Sequence, residues 1–251
     1  MTHGTSSTPI RRSDRLGDLV AAHPQLAPVL ERWQIDYCCG GDRTLAEACD
    51  EVGAESDEIV AALRVAVDVP PDVTATEATV TDLTPSELAD HIERTHHTLL
   101  RRELPRLAEL ADRVLAVHGD RHPELSEVHD TFEALRLDLE PHLAREEQIV
   151  FPFIREIDNA LRSGRTVDGQ LENPVTVLRD DHENVGELLA RLSLLTDTFT
   201  TPADGCASYR ALYDGLGELV ADTHIHVHKE NNILFPAAIA GERRLDAHVA
   251  S

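Results

Sequence analysis

The sequence predicts an all-α protein in two parts, a small helical domain followed by an antiparallel bundle of four long helices. Apolar residues recur every three or four positions along most of the 251-residue chain, which is the period of an amphipathic helix. The alternating β-branched residues that are typical of strands are scarce. The second half of the chain holds four long helical segments with short connections, and such segments pack as antiparallel neighbours.

The composition excludes several classes of partner. The chain carries 46 acidic and 23 basic residues, a formal charge of −23, which repels both nucleic acid and anionic membrane surfaces. No run of about 18 apolar residues is present, and residues 1–15 lack the apolar segment of a signal peptide. We therefore expect a cytoplasmic protein with no nucleic-acid and no membrane partner. Its four cysteines show no paired CxxC spacing, so reduced thiols are expected.

Changes in composition and helix signals divide the chain into five segments. In the front part, Thr44 and Glu47 have the spacing of a capping box at the start of a helix. The stretch DVPPDVTATEATVTDL has no helical period and indicates a linker. The predicted segments are a flexible tail over 1–12, a small helical cysteine-bearing domain over 13–67, a linker over 68–84, a four-helix bundle over 85–241 and a second tail over 242–251.

The bundle begins at another capping signal, in which Thr84 is the N-cap, Pro85 the first helical residue and Glu87 the capping-box partner. Breaks at HGDRHP, RSGRTVDGQLENP and TTPADG then separate the helices. The four predicted helices run over about 85–118, 123–160, 174–199 and 203–240.

Two of these helices carry the same pattern, HLAREEQIVFP at 142–152 and HVHKENNILFP at 226–236. In each of them the apolar stripe steps by three and four through a histidine and a glutamate, His142 with Glu146 and His226 with Glu230. The stripes are expected to continue through Ile149 and Ile233. Both histidines and both glutamates are therefore predicted to point into the core.

The other two helices each contribute one histidine. His182 interrupts an otherwise apolar face of the third helix. In the first helix the upstream stripe points to His96, but leucines follow His97 at the same offsets as they follow His182. The bundle is therefore interpreted as a duplicated helix pair, and His97 is the predicted core residue.

Six buried polar side chains of this kind favour a metal centre. A buried carboxylate without a partner costs several kcal/mol, and this core is predicted to hold two of them with four histidines. Imidazole and carboxylate ligands suit iron, manganese, zinc or copper, and bridging carboxylates favour a pair of ions. Because such a pair keeps coordination positions open, small-molecule binding or redox chemistry is expected.

These motifs resemble the hemerythrin-like family, whose four-helix bundles carry a non-haem di-iron centre. The resemblance covers about residues 85–240, and the order of the motifs is similar to that of the iron-sulfur cluster repair subfamily, also called repair of iron centres proteins. It implies two non-haem iron ions with bridging carboxylates. The metal ligands that it implies are His97, His142, Glu146, His182, His226 and Glu230.

The front domain adds to the resemblance. The stretch IDYCCGGDRTLAEAC, with adjacent Cys38 and Cys39, looks like the cysteine-bearing domain that precedes the bundle in that subfamily. The subfamily is associated with restoring iron-sulfur clusters after oxidative or nitrosative damage, which implies damaged iron-sulfur proteins as clients and O2 or NO as small ligands. The two thiols would then engage a client or accept a transferred species.

Two other functions stay open for the same di-iron site, an O2 or NO sensor or carrier and an NO or peroxide reductase. A simple carrier does not need the cysteine pair, which favours the repair hypothesis. A homodimer also stays open. Three further histidines could shuttle protons, support the ligands or be exposed to solvent: His96, His224 and His228. His129 could support the ligands.

Overall fold

The computed structural model describes residues 10–67 and 80–249. The predicted segments that fall on residues 1–9, 68–79 and 250–251 lie outside this part of the chain.

The chain divides into two compact units, Met1–Asp82 and Leu83–Ser251. Both units are built from helices, and the β-structure of the described residues is limited to one isolated bridge between Arg15 and Thr44. The predicted all-α class is therefore confirmed. No helix in the described ranges is both long and apolar enough to cross a membrane.

Within the described residues, the front unit has four short α-helices: α1 (Leu16–Ala22), α2 (Ala27–Arg32), α3 (Leu45–Glu51) and α4 (Ser56–Val67). The predicted capping box is present, because the Thr44 hydroxyl accepts from the Glu47 N–H while the Glu47 carboxylate accepts from the Thr44 N–H. The core of this unit is made of fully buried aliphatic side chains, among them Leu16, Leu26, Leu30, Leu45, Ile59 and Leu63.

The last residues of the predicted first tail belong to this unit. Ile10 is buried, and its carbonyl accepts a hydrogen bond from the Arg64 guanidinium at 2.9 Å. The Arg12 carbonyl accepts from the Ala46 N–H. Residues 10–12 therefore pack on the helices, because an apolar side chain and two carbonyls find partners there.

The second unit contains four long helices, three of which include one π-helical turn. Helix α5 comprises Pro85–Ile92, the π turn Glu93–His97 and Thr98–His118. Helix α6 comprises Glu124–Arg145, the π turn Glu146–Val150 and Phe151–Ser163. Helix α7 is Glu172–Leu195. Helix α8 comprises Ala207–Lys229, the π turn Glu230–Leu234 and Phe235–Val249.

These helices form the bundle. Helix α6 packs against α5 and α7, and α8 packs against α5 and α7. A continuous apolar core fills the space between them, from Leu100 and Leu104 on α5 to Leu216 and Leu219 on α8. Burial of these side chains is the main stabilising contribution of the unit.

The π turns move the apolar stripe by one residue, which corrects two expectations. After Glu146 the buried residue is Val150, at 1% exposure, whereas Ile149 is 58% exposed. After Glu230 the buried residue is Leu234, and Ile233 is only partly buried. The reason is geometric, since a π turn takes up one more residue than an α turn and rotates everything that follows.

Two helix ends also differ from the predicted positions. Helix α7 ends at Leu195, before Asp197, Thr198 and Phe199, whose positive φ angles of 48°, 52° and 61° are incompatible with a right-handed helix. Helix α8 continues to Val249 through most of the predicted second tail. Leu245 is 9% exposed there and Glu242 accepts from the Leu171 N–H, so burial and a hydrogen bond extend the helix.

Candidate metal centre

The structure brings the six predicted ligand residues together in the middle of the bundle. Their side chains are all buried, with at most 2% exposure. They form two groups of four residues. Within each group the candidate ligand atoms lie within 4.8 Å of one another. The first group is His97, Glu146, His226 and Glu230, and the second is His142, Glu146, His182 and Glu230. Both glutamates therefore belong to both groups.

The π turns position these residues. In α5 the π turn ends at His97, five residues after the buried Ile92. It brings His97, rather than its neighbour His96, into one of the two groups. In α6 and α8 the turns begin at Glu146 and Glu230. π turns are rare and occur often at functional sites, because they re-aim a side chain without ending the helix.

The prolines of the two FP motifs follow these π turns directly. Pro152 and Pro236 lie in the first turn of the α-helical segments that begin at Phe151 and Phe235. Proline lacks the N–H of the helical ladder and its ring clashes with the carbonyl four residues earlier. A wider turn in front of proline relieves that clash, which gives the repeated motif a structural reason.

Glu146 lies between the two groups with one oxygen towards each. Its Oε2 is 3.3 Å from His97 Nε2, and its Oε1 is 3.2 Å from His142 Nε2. The Nε2 atoms of His142 and His182 are 3.1 Å apart. The carboxylate thus has the orientation of a bridge between two cation positions.

Glu230 repeats this arrangement from the opposite side. Its Oε1 is 3.0 Å from His226 Nε2, and its Oε2 is 3.2 Å from His182 Nε2. The Nε2 atoms of His97 and His226 are 3.2 Å apart. Each pair of histidine nitrogens therefore faces one oxygen of each glutamate.

The hydrogen bonding of the glutamates shows that cations fit between these groups. Neither oxygen of Glu146 accepts a hydrogen bond, and neither does Oε2 of Glu230, although all three are buried. A buried carboxylate oxygen without a donor is strongly unfavourable. A cation between the imidazoles and the carboxylates would compensate both charges, and the donor set of nitrogen and oxygen suits iron, manganese or zinc.

Histidine and glutamate change each other's pKa in this core. Burial opposes the charge of His142, but Glu146 reverses the effect and raises the pKa to about 9. Burial and the charge of Glu230 would raise the pKa of Glu146, but the neighbouring histidines hold it below its usual value. The pKa of His226 is lowered, mainly by burial. The carboxylates are therefore kept ionised, as cation binding requires.

Three of the four histidines are held by a hydrogen bond at the ring nitrogen that faces away from the centre. His97 Nδ1 contacts Glu147 Oε1 at 2.8 Å, and His182 Nδ1 contacts Asn231 Oδ1 at 3.0 Å. His142 Nδ1 contacts Asp181 Oδ2 at 3.3 Å. Such partners fix the tautomer and the orientation of the ring, so that Nε2 is free to bind a metal.

His226 is held differently. Its Nδ1 is buried without a hydrogen-bond partner, and its ring stacks on the ring of His96. His96 in turn contacts Asp222 Oδ1 at 2.9 Å and the buried Lys229 Nζ at 3.0 Å, and the same Nζ is 3.0 Å from His91 Nε2. His96 is therefore buried beside the centre and is absent from both ligand groups.

The other histidines of unassigned role have separate positions. His228 is buried and contacts the Asn232 side chain, and His224 is partly buried. His129 is partnered by Asp112 and Asp130. These contacts account for both ring nitrogens of His129 and involve no residue of the two groups.

The two candidate thiols lie in the front unit, between α2 and α3. Cys38 is 5% exposed and Cys39 is partly buried, and none of the four cysteines forms a disulfide. The two Sγ atoms are 3.8 Å apart.

Sequence reasoning missed the residues that hold the histidines in place. Each of them lies on a different helix from the histidine that it holds, and directly beside a ligand of its own helix. Glu147 follows Glu146, Asp181 precedes His182, and Asn231 follows Glu230. A polar residue directly beside a predicted core ligand is a signal that could have found them. The buried Lys229, directly before Glu230, fits the same rule.

Comparisons with known proteins agree with this architecture. Residues 88–238 match the family described as hemerythrin HHE cation binding domain. Residues 12–66 match ScdA_N, a domain of unknown function also designated DUF542.

Several curated relatives align with most of the chain. It is 33% identical over 231 residues to the iron-sulfur cluster repair protein YtfE of Enterobacter sp. (strain 638), which covers 92% of this chain and 99% of the relative. The protein of the same name from Escherichia coli O81 (strain ED1a) is 32% identical with the same coverage. The chain therefore belongs to the hemerythrin HHE family, in the branch whose curated relatives are iron-sulfur cluster repair proteins.

Proposed function

We propose that this chain is a di-iron protein that repairs, or supplies iron to, iron-sulfur clusters damaged by oxidative or nitrosative stress. The observation that carries the proposal is the sharing of Glu146 and Glu230 between two groups of buried histidines. Two carboxylates that each face two cation positions favour a pair of ions over one. The relatives named iron-sulfur cluster repair proteins support the reaction class.

Each ion would take two histidine nitrogens and one oxygen from each glutamate. His97 and His226 would hold one ion, and His142 and His182 the other. A pair of irons supplies redox chemistry and open coordination positions for small molecules such as O2 or NO. Four protein ligands leave such positions on a six-coordinate ion.

The protein orients the metal-binding histidines and excludes water from the centre. Glu147 and Asp181 accept hydrogen bonds from the rings of His97 and His142, which makes these imidazoles stronger donors towards the centre. Phe151 and Phe235 are fully buried, and their rings stack on His97 and His182. This apolar cover limits solvent access to the ions.

Iron analysis tests the centre. Full-length protein expressed with sufficient iron should contain about two irons per chain, with an optical spectrum typical of a bridged pair. His129→Ala is the matched control, because it removes a histidine of the same bundle that lies outside both groups, and it should keep both irons. One zinc per chain and no iron in the wild type would overturn the proposal.

A repair assay tests the cysteines. We expect the double variant Cys38→Ser with Cys39→Ser to keep the iron content and spectrum of the bundle, yet to lose recovery of a damaged iron-sulfur enzyme. Cys206→Ser is the control, because it removes an exposed thiol of the bundle unit. Full recovery by the double variant would favour a bundle that acts alone, as a gas carrier or as an NO or peroxide reductase.

Location in the cytoplasm and assembly into a homodimer stay predictions. Fractionation of cells and light scattering of the purified protein check them.

A further inference from the structure

The loop between α2 and α3 holds the side chains of two adjacent cysteines side by side. Cys38 Sγ and Cys39 Sγ are 3.8 Å apart, and Asp36 Oδ1 lies 3.2 Å from Cys38 Sγ. One oxygen of Asp36 and the two sulfurs all lie within 4.8 Å of one another. Successive side chains of an extended chain point in opposite directions, so this convergence requires a specific loop conformation.

The carboxylate of Asp36 maintains that conformation. Its Oδ1 accepts hydrogen bonds from the backbone N–H groups of Cys38 and Cys39 at 3.0 and 2.9 Å, and its Oδ2 accepts from the N–H of Gly40 at 2.9 Å. The Arg43 guanidinium contacts Oδ2 at 3.3 Å and also donates to the carbonyl of Asp36. Three consecutive N–H groups thus converge on one side chain, which folds the loop around it.

The sulfur separation matches a known coordination geometry. Thiolates lie about 2.3 Å from a bound zinc-like ion, so two of them on one tetrahedral ion are about 3.8 Å apart. A disulfide needs about 2.05 Å, which is far shorter than the observed 3.8 Å. The two sulfurs are therefore already spaced to bind one ion without movement of the loop.

We propose that Cys38 and Cys39 together form a two-thiolate binding site for one soft divalent metal ion, separate from the metal centre of the bundle. Asp36 is the positioning residue of this site, because its Oδ1 accepts from the backbone N–H groups of Cys38 and Cys39 and from the Cys38 thiol. The assignment of this site to iron in transit to a damaged cluster rests on the proposed function.

Binding exchanges two protons for one divalent ion. The two thiols lose one proton each, two sulfur–metal bonds form, and the buffer takes up the protons. The neighbouring thiol of Cys39, burial and Asp36 all raise the pKa of Cys38, so a bound ion must displace that proton. Binding should therefore tighten as pH rises.

Because the protein supplies two ligands to the ion, the site can pass the ion to an acceptor. Structural zinc sites are closed by four protein ligands, whereas two thiolates leave positions for an acceptor's own ligands. Cys39 is the more exposed of the two sulfurs and Gly40 beside it is only partly buried, so an incoming ligand approaches from that side.

Cobalt titration of the iron-loaded, full-length protein under anaerobic reducing conditions tests the site. One equivalent of Co²⁺ should produce the near-ultraviolet charge-transfer absorption of thiolate–cobalt bonds, which histidine and glutamate ligands cannot produce. Bound Co²⁺ should also slow alkylation of Cys39. The Cys39→Ser variant, whose side chain is partly exposed, should fold normally and weaken cobalt binding at least tenfold.

Matched variants separate this site from the other thiols. Cys206 Sγ lies 3.2 Å from His118 Nε2 and is the alternative cobalt site, so Cys206→Ser must leave the absorption unchanged. Asp36→Ala should also weaken binding at least tenfold, with circular dichroism showing an intact fold. Absence of the absorption in the wild type, or its loss in Cys206→Ser alone, would overturn the proposal. Because the titration uses no client, either result leaves the iron and repair assays of the proposed function unaffected.

Discussion

The rings of His96 and His226 are parallel, with centroids 5.4 Å apart and planes inclined by 4°. Stacking on His96 thus fixes the orientation of His226, whereas hydrogen bonds fix the other three histidines of the centre. Two neighbouring histidines of α5 therefore have different tasks, since His97 faces the glutamates while His96 supports a ring of α8.

We expect His97→Ala to lose metal and His96→Ala to keep it. The ring of His97 belongs to a ligand group, whereas both nitrogens of His96 are engaged by Asp222 and Lys229. Iron content per chain after purification measures the difference. Loss of metal in His96→Ala alone would reverse the assignment.

Glu146→Ala and Glu230→Ala should each lose metal and lower the melting temperature, because each glutamate is shared by both groups. A ligand present at 100 times its Kd stabilises a protein by about 2.7 kcal/mol, and these variants lose that contribution. Melting curves with and without a chelator measure it, since the wild type should respond to the chelator and the two glutamate variants should not. Glu187→Ala, which removes an exposed carboxylate of α7, should behave like the wild type. Unchanged metal content in both glutamate variants would show that the ligand assignment is wrong.

Val150→Ala should destabilise the bundle, whereas Ile149→Ala should not. The Val150 side chain is 1% exposed and its burial contributes about 2 kcal/mol, while Ile149 is 58% exposed. Urea unfolding of the two variants measures the free energies. An uninterrupted α-helix predicts the reverse order, so the pair of variants also tests the π turn at Glu146.

Glu147→Gln should weaken metal binding about 10- to 100-fold without abolishing it, as expected when the hydrogen-bond partner of a ligand is altered. Glu147 accepts from His97 and is held by two nitrogens of Arg101 at 2.6 and 2.7 Å. Competition with a calibrated chelator measures the affinity. Glu140→Gln on the same helix, whose carboxylate contacts only Arg136 in the surface network, is the control and should not change the affinity.

Periodicity predicted most of the fold and five of the six residues that the structure gathers in the two groups, because buried positions recur at fixed steps. It placed His142 and Glu146 on one face correctly, since four residues separate them along regular helix. It failed at Ile149 because helical periodicity assumes regular α turns, whereas the π turn Glu146–Val150 takes up one more residue. The upstream apolar stripe pointed to His96, whereas the internal symmetry of the sequence pointed to His97. The π turn at Glu93–His97 is the physical reason for this disagreement.

Composition did not reveal the hydrogen-bond partners of the centre. Glu147 and Asp181 belong to the acidic residues of a chain with 46 of them, and composition alone predicts a solvated surface. Only the packing of α6 against α5 and α7 brings these two carboxylates to His97 and His142.

The sharing of the two glutamates determines when the centre can be assembled during synthesis. Helices α5 and α6 contribute one histidine and Glu146 to each group, while α7 and α8 contribute the other histidine and Glu230. Neither pair of helices contains a complete group. A nascent chain therefore has no complete binding site until residue 230 has left the ribosome, and a cell must keep its ions available for loading after translation of almost the entire bundle.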